Sequence, residues 1–295
     1  MEDIPVNSRS LPRWIGSYAL FLLPVAAVAG GAVSSSVVSF SASTLVDPDA
    51  NVRGELRLPS GTGKVPAVVV IHNAGGLQDR TGTDYVNALN EAGIATLELD
   101  LFPRGSAPAS TRGHVPHAYG SLIYLAGNSR IDPSRIGIMG FSYGAILSMV
   151  TVSKELTDAY TGGKYQFAAH LPLYLPCWTG NAVMEGRIKS YSQSLWTTAT
   201  GAPAHILAGE KDDYGEPDMC IKFVGALPAP TRSHVSVTVY PNAFHGWDTY
   251  EDRTYYDKFA FSGKGGTVRH MRNVEIAEKS RTFAVEFFRT AFAMK

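Results

Sequence analysis

The chain has 295 residues, of which 45% are hydrophobic and 18% charged, and its 26 basic side chains equal its 26 acidic ones in number. This balance excludes a basic field of the kind that attracts nucleic acid, so no nucleic-acid partner is expected. The length suffices for one large α/β domain, and no internal repeat or change of composition divides the chain after residue 46.

The N-terminal segment is the first predicted element. An apolar stretch from Tyr18 to Ala29 follows Arg9 and Arg13 and ends in the small-x-small sequence Ala-Val-Ala. This layout predicts a secretory signal peptide over residues 1–29 and a secreted or periplasmic protein. The alternative is an uncleaved membrane anchor, since the stretch is long enough to span a bilayer. A membrane is an expected partner only if the segment is uncleaved. Residues 30–45, rich in Ser, Ala and Val, predict a flexible lead-in.

The remainder, residues 46–295, alternates short apolar runs with helical patterns. The first run alternates apolar and polar residues and predicts a half-exposed edge strand, whereas continuous apolar runs are typical of strands buried on both faces. The predicted strands are 52–58, 65–71, 94–99, 136–139, 167–173, 204–208 and 235–240. The predicted helices are 84–92, 116–126, 143–154, 216–224 and 274–293. The alternation predicts a single α/β domain whose mostly parallel central sheet has helices on both faces.

The sequence Gly140-Phe141-Ser142-Tyr143-Gly144 lies between a predicted strand and a predicted helix. A serine in this setting is typical of a nucleophile elbow, a sharp turn that exposes the hydroxyl above the sheet edge. Glycines are needed on both sides because a Cβ there would clash with the neighbouring strand and helix. We infer that Ser142 attacks an electrophilic carbon; the alternative is a glycine-rich turn with an inert serine.

Candidate partners for Ser142 follow other predicted strands, at the edge where α/β proteins carry their chemistry. Asp212 and Asp213 follow strand 204–208, and a carboxylate there can orient a histidine. His245 follows strand 235–240; imidazole ordinarily has a pKa near 6.5 and so can take a proton from Ser142 and return it to a leaving group. The chain order Ser, Asp, His is that of the α/β-hydrolases.

The loop after strand 65–71 reads His72-Asn73-Ala74-Gly75-Gly76. Its glycines let the backbone approach a substrate, so one amide here and the amide of Tyr143 are predicted to hold the oxyanion of a tetrahedral intermediate. We expect the imidazole of His72 to brace the loop.

Together these segments resemble the α/β-hydrolase fold and, within it, the dienelactone hydrolase family, over roughly residues 50–292. The segments with the strongest resemblance are 68–72, 99–105, 136–144, 209–214 and 240–245. In that family the acid lies three residues after the glycine that ends the strand, which selects Asp212 over Asp213. The resemblance also assigns the oxyanion amides to Ala74 and Tyr143.

The chain departs from that family in two ways. Ser142 replaces a cysteine nucleophile, and Asn73 replaces a glutamate of the oxyanion loop. Of the two arginines with which the family binds a substrate carboxylate, the first matches Arg104, but Thr249 occupies the position of the second. Arg104 and Asn73 are therefore the predicted substrate-binding residues. Arg104 either pairs with an anionic group or braces its loop. Because half of the carboxylate clamp is missing, dienelactone itself is a poor candidate substrate.

Cys177 and Cys220 are the two cysteines of the chain. An even number in an exported protein permits one disulfide, which would fix the loop that carries Asp212; two free buried thiols are the alternative.

The sequence thus predicts a serine hydrolase that cleaves a small carboxylic ester or lactone through Ser142, His245 and Asp212 and an acyl-enzyme, with no metal or organic cofactor. The alternatives are an acyltransferase or peptidase with the same triad, or a catalytically silent binding member of the fold.

Overall fold

The computed structural model describes residues 33–294, so the predicted signal peptide over residues 1–29 lies outside the described residues. The strands are β1 (Val33–Ser41), β2 (Asn51–Pro59), β3 (Val65–Ile71), β4 (Ala95–Leu99), β5 (Ile131–Phe141), β6 (Ala169–Leu173), β7 (Ala204–Gly209), β8 (Val235–Tyr240), β9 (Arg253–Asp257) and β10 (Gly266–His270). The helices are α1 (Thr83–Glu91), α2 (Val115–Gly127), α3 (Tyr143–Val150), α4 (Lys154–Thr161), α5 (Trp178–Met184), α6 (Met219–Ala226), α7 (Ala229–Arg232), α8 (Ala260–Gly263) and α9 (Val274–Ala291). Among the described residues, no helix is both long and apolar enough to cross a membrane.

Eight of these strands form one sheet in the order β1-β2-β4-β3-β5-β6-β7-β8. The pairs β1/β2 and β2/β4 are antiparallel, and the strands from β4 to β8 are parallel, which confirms the predicted mostly parallel sheet. Alternate residues of the central strand β3 join two different apolar clusters, Val69 one and Val70 the other. Because successive side chains of a strand point to opposite faces, one cluster packs under α2 and α3 and the other under α1 and α9.

The prediction that residues 30–45 are a flexible lead-in is wrong for β1, which pairs with β2 along its whole length. β1 lies at the edge of the sheet and its residues are mostly exposed, Val37 by 80%. Because no face of the strand is buried, its sequence lacks the apolar alternation that identifies a strand. The backbone ladder and the stacking of Phe40 on Tyr124, with ring centroids 3.8 Å apart, hold the strand instead. In consequence β2 has the predicted alternation of buried and exposed residues but is not an edge strand.

Other elements also differ from the sequence-based expectations, and the short helices α5 and α7 were not predicted. The helix predicted over 143–154 is shorter than expected, because α3 ends at Val150. A separate helix, α4, begins after Ser153, whose side chain accepts the amide proton of Leu156. Residues 253–270 form a hairpin of β9 and β10 around α8, here called the hairpin, that the sequence analysis missed. Its short strands are mostly exposed and carry no apolar alternation.

Candidate active site

The turn between β5 and α3 has the backbone geometry of the predicted elbow. Ser142 has φ 50° and ψ −101°, in a region that L-residues rarely adopt. A Cβ at Gly140 would lie 2.2 Å from the carbonyl oxygen of Gly144, and a Cβ at Gly144 would lie 2.2 Å from that of Ile71. Both glycines are therefore sterically required, and the crowding holds the hydroxyl of Ser142 clear of helix and strand.

The side chains of Ser142, His245 and Asp212 form one hydrogen-bonded chain. The Nε2 atom of His245 lies 2.8 Å from the Oγ of Ser142, and its Nδ1 lies 2.8 Å from the Oδ2 of Asp212. Because a carboxylate only accepts, Nδ1 carries the proton and Nε2 is free to accept the serine proton. The second oxygen of Asp212 accepts the amide proton of Tyr214 at 2.9 Å, which fixes the carboxylate.

Asp213, the rival candidate for the acid, has a different partner. Its two oxygens accept the Nη2 and Nε protons of Arg269 at 2.7 and 2.9 Å, and it also accepts the Arg269 amide proton. The backbone carbonyls of Asp213 and Tyr214 accept the amide protons of Phe261 and Ser262. Asp213 thus anchors the hairpin to the loop that carries Asp212.

Aromatic rings enclose His245, which is 1% exposed. The ring centroids of Tyr214, Tyr174 and His270 lie 4.4, 4.9 and 5.0 Å from that of the imidazole. The sequence analysis missed all three rings, and only the loop position of Tyr214 beside Asp212 could have indicated one of them. They keep water away from the imidazole and so strengthen its hydrogen bonds.

The solved structures with a similar fold include several hydrolases. They include a dienelactone hydrolase-like promiscuous phosphotriesterase from metagenomic libraries (TM-score 0.61, 18% identical, covering 88% of this chain and 99% of that one). An esterase of Butyrivibrio proteoclasticus has a TM-score of 0.59 and 14% identity and covers 87% of this chain and 99% of its own. Esterase 2 of Thermogutta terrifontis phosphorylated by paraoxon has a TM-score of 0.58 and 15% identity. The match covers 86% of this chain and 94% of the esterase chain.

The chain has the α/β-hydrolase fold. The sequence profile of the prolyl oligopeptidase family matches residues 121–264 of the chain. An uncharacterized protein of Mycobacterium tuberculosis, found in two strains, is 27% identical over 179 residues. That similarity covers 58% of this chain and spans 60% of the relative's length.

Ala74 and Tyr143, the residues whose amides are predicted to hold the oxyanion, line the same cavity as Ser142. Tyr143 is the first residue of α3, where backbone N–H groups have no carbonyl within the helix and remain free for a ligand. His72 braces this loop as predicted: its Nδ1 donates to the carbonyl of Asn73 at 2.7 Å, and its Nε2 accepts the amide proton of Leu101 at 3.2 Å. Burial lowers the pKa of His72, which keeps the ring neutral for this pair of bonds.

Asn73 is a structural part of the same loop and does not line the cavity. Its Oδ1 accepts the amide proton of Gly75 at 2.7 Å, and its Nδ2 donates to Asp79 at 2.8 Å. Asp79 in turn accepts two protons from Arg253 of the hairpin, each at 3.0 Å. Burial opposes ionisation of Asp79, but the hydrogen bonds from Arg253 and Asn73 outweigh it and lower its pKa. Asn73 therefore links the oxyanion loop to the hairpin.

Arg104 is exposed and lies outside the cavity lining, so the geometry gives no support to a substrate-binding role for it. Thr249, at the second clamp position, is buried with its hydroxyl donating to the carbonyl of Glu251 at 3.0 Å. Neither position presents a cation to the cavity.

The cavity beside Ser142 has a volume of about 430 Å³, within the range of small-molecule sites. Besides α3, three segments wall it: residues 107–111, the stretch from Trp178 to Trp196, and residues 257–259 of the hairpin. Asp257 and Lys258 are the charged residues of this lining. Burial raises the pKa of Tyr214, so its hydroxyl stays protonated and donates to Asp257 at 2.6 Å.

A disulfide joins Cys177 to Cys220, as the even cysteine count suggested. Cys177 directly precedes α5 and its cavity residue Trp178, and Cys220 lies in α6, the helix after the acid loop. The bond therefore ties one cavity wall to the segment that follows Asp212.

Replacing both cysteines by alanine should lower the free energy of unfolding by roughly 3–4 kcal/mol, since the open loop regains chain entropy when unfolded. Chemical denaturation of the oxidised protein and of the double variant measures the difference. Equal midpoints would contradict it, and intact mass after alkylation without reductant should show no free thiol.

Proposed function

We propose that the protein is a serine hydrolase that cleaves carboxylic esters, including lactones, and resembles the dienelactone hydrolases in its catalytic layout. The observation that carries the proposal is the chain of two 2.8 Å hydrogen bonds from Ser142, which lines a cavity, through His245 to Asp212. Esterases among the structures of the same fold support it.

In the proposed ester hydrolysis each of these residues has one role. The Oγ of Ser142 attacks the carbonyl carbon while its proton passes to the Nε2 of His245, and Asp212 stabilises the imidazolium. The amides of Ala74 and Tyr143 hold the oxyanion. When the intermediate collapses, the alcohol leaves with the proton from His245 and the acyl group stays on Ser142. Water, deprotonated by His245, then releases the carboxylic acid.

A peptidase with the same triad is the second candidate, and the match to the prolyl oligopeptidase family favours it. The chemistry differs only in the leaving group, an amine that must be protonated as it departs. The disulfide supports the further proposal that the protein works outside the cytoplasm, in an oxidising compartment.

A fluorophosphonate probe tests the proposal, because it reacts only with an activated serine. We expect one label, located on Ser142 by peptide mass spectrometry, and turnover of p-nitrophenyl esters far above that of prolyl p-nitroanilides. The opposite ranking of the two substrates would favour the peptidase. If the folded protein stayed unlabelled, the remaining interpretation would be a catalytically silent binding member of the fold.

A further inference from the structure

The cavity runs along α3, away from the nucleophile. Tyr143, Ile146 and Val150 line it at the spacing of one helix face, and a rise of 1.5 Å per residue places Val150 roughly 12 Å beyond Ser142. Val150 is 1% and Trp196 3% exposed, yet both line the cavity, so this arm of the cavity is deep. Trp196 is fixed there, since its Nε1 donates to the carbonyl of Met149 at 2.9 Å.

Charge divides the cavity into two parts. The residues that line it along α3, together with Val183 and Trp196, carry no formal charge, whereas Asp257 and Lys258 belong to the hairpin. The hairpin lies on the side of His245, because Tyr214 both hydrogen-bonds Asp257 and packs its ring on the imidazole.

The chemistry assigns the two halves of an ester to these two parts. The departing alcohol receives its proton from His245 and must lie on the hairpin side, while the acyl group remains on Ser142 and needs the other space. We propose, on the basis of the proposed function, that the α3 arm binds an unbranched, uncharged, medium-chain acyl group, and that the hairpin side receives a polar alcohol. Burial of apolar chain against Ile146, Val150 and Trp196 supplies the binding energy.

A series of p-nitrophenyl esters from acetate to dodecanoate tests the arm. The wild type should prefer a medium chain, and Ile146→Trp, which fills the middle of the arm, should lower the decanoate-to-acetate ratio of kcat/KM by about tenfold or more. Ile221→Trp is the matched control, since Ile221 is 54% exposed on α6 and lies outside the cavity lining. Ile188→Trp, on another wall of the cavity, replaces Ile146→Trp if that variant fails to fold.

An unchanged chain-length profile in a folded, probe-labelled variant overturns the acyl arm and leaves the proposed hydrolase intact. Absence of probe labelling in the wild-type protein overturns the proposed hydrolase function itself. In the reciprocal test, Lys258→Ala should change the ranking of acetate esters with different alcohols and leave the acyl-chain ranking as in the wild type.

A separate observation concerns Asp248, a buried carboxylate three residues after His245. Its Oδ1 accepts the hydroxyl proton of Tyr174 at 3.0 Å, and the Tyr174 ring packs edge-on against the imidazole, with centroids 4.9 Å apart. Tyr174 has φ 38°, so its backbone is held in an unfavourable conformation at the end of β6. The triad chemistry described above does not use Asp248.

We propose that Asp248 is a positioning residue that holds Tyr174 against His245 and supplies a second negative charge near the imidazole, in addition to that of Asp212. The titratable groups around the imidazole are Asp212, Asp248, Tyr174, Tyr214 and His270. Tyr85 of α1 faces Asp248 as well, and the charges of Asp79 and Arg253 lie further along this network.

Burial raises the pKa of Asp248 to about 6, and the hydroxyl groups of Tyr85 and Tyr174 and the charge of His245 oppose the rise. The carboxyl group is therefore ionised above about pH 6, where its charge favours the imidazolium. Removing that charge makes protonation of His245 less favourable. The acid limb of the activity profile should then move to lower pH.

Asp248→Asn keeps the size and one acceptor of the side chain and removes its charge. We expect a lower kcat and an acid limb of kcat/KM displaced to lower pH. Tyr174→Phe keeps an aromatic ring at this position but removes the hydrogen bond that favours the ionised carboxylate, so a smaller displacement in the same direction is expected. If one variant fails to fold, the other still tests the proposal. A folded variant whose acid limb of kcat/KM lies at the wild-type pH would overturn it.

Discussion

Asp212→Asn should lower kcat on an ester by about 10⁴-fold, the size measured for the equivalent change in a serine protease. The amide would present a donor to Nδ1 of His245, which stabilises the wrong tautomer and leaves Nε2 unable to accept the serine proton. Ser142→Ala should lower activity at least as much and abolish probe labelling, because the attacking oxygen is gone. Steady-state kinetics on a p-nitrophenyl ester measure both effects.

Asp213→Asn is the matched control, since it changes the neighbouring residue in the same chemical way. Asp213 pairs with Arg269 of the hairpin and not with His245, so the loss of its charge should weaken the anchoring of the hairpin but leave kcat within several-fold of the wild type. If the two asparagine variants lost activity equally, the assignment of the acid to Asp212 would fail.

Gly144→Ala should prevent folding into a stable protein, with a loss of more than about 5 kcal/mol, the exceptional end of single-substitution effects. The added Cβ would lie 2.2 Å from the carbonyl oxygen of Ile71 and 2.8 Å from that of His72. Both atoms belong to the backbone of the central strand and the oxyanion loop, so no side-chain rotation relieves the overlap. Soluble yield and thermal unfolding measure the effect.

Gly127→Ala provides the comparison for this prediction. Gly127 ends α2, and a Cβ there meets nothing within 4 Å. Alanine favours helix over glycine by about 0.5–1 kcal/mol, so this variant should be at least as stable as the wild type. A Gly144→Ala protein that unfolded at the same temperature as Gly127→Ala would show that β3 and α3 can separate without cost.

Local pattern was enough to predict the central strands and the loops that carry Ser142, Asp212 and His245. Continuous apolar runs such as β3 are long and strongly biased, so they indicate buried strands whatever surrounds them. The elbow was equally visible, because its steric requirement is for two glycines at set positions about Ser142. The chain order of Ser142, Asp212 and His245 follows from the order of the strands that carry them.

Elements held by partners distant in the sequence were not predictable in the same way. The serine-rich β1 is ordered by the edge of β2, and the hairpin by the ion pair between Arg269 and Asp213. The choice between Asp212 and Asp213 rested on family resemblance, because adjacent carboxylates look alike until the fold turns one towards His245. The interpretation of Asn73 as substrate-binding missed that its amide is occupied by Gly75 and Asp79.

The sequence by itself determined which residues could do chemistry here and on which edge of the sheet they would meet, because strand burial and the glycine elbow are local properties. Only the tertiary structure decided which residues line the cavity, that Asp212 accepts the imidazole proton, and that Asp248 binds the hydroxyl of Tyr174 beside it. Those features depend on side chains that come from separate loops, and their distances are set by packing across the whole sheet.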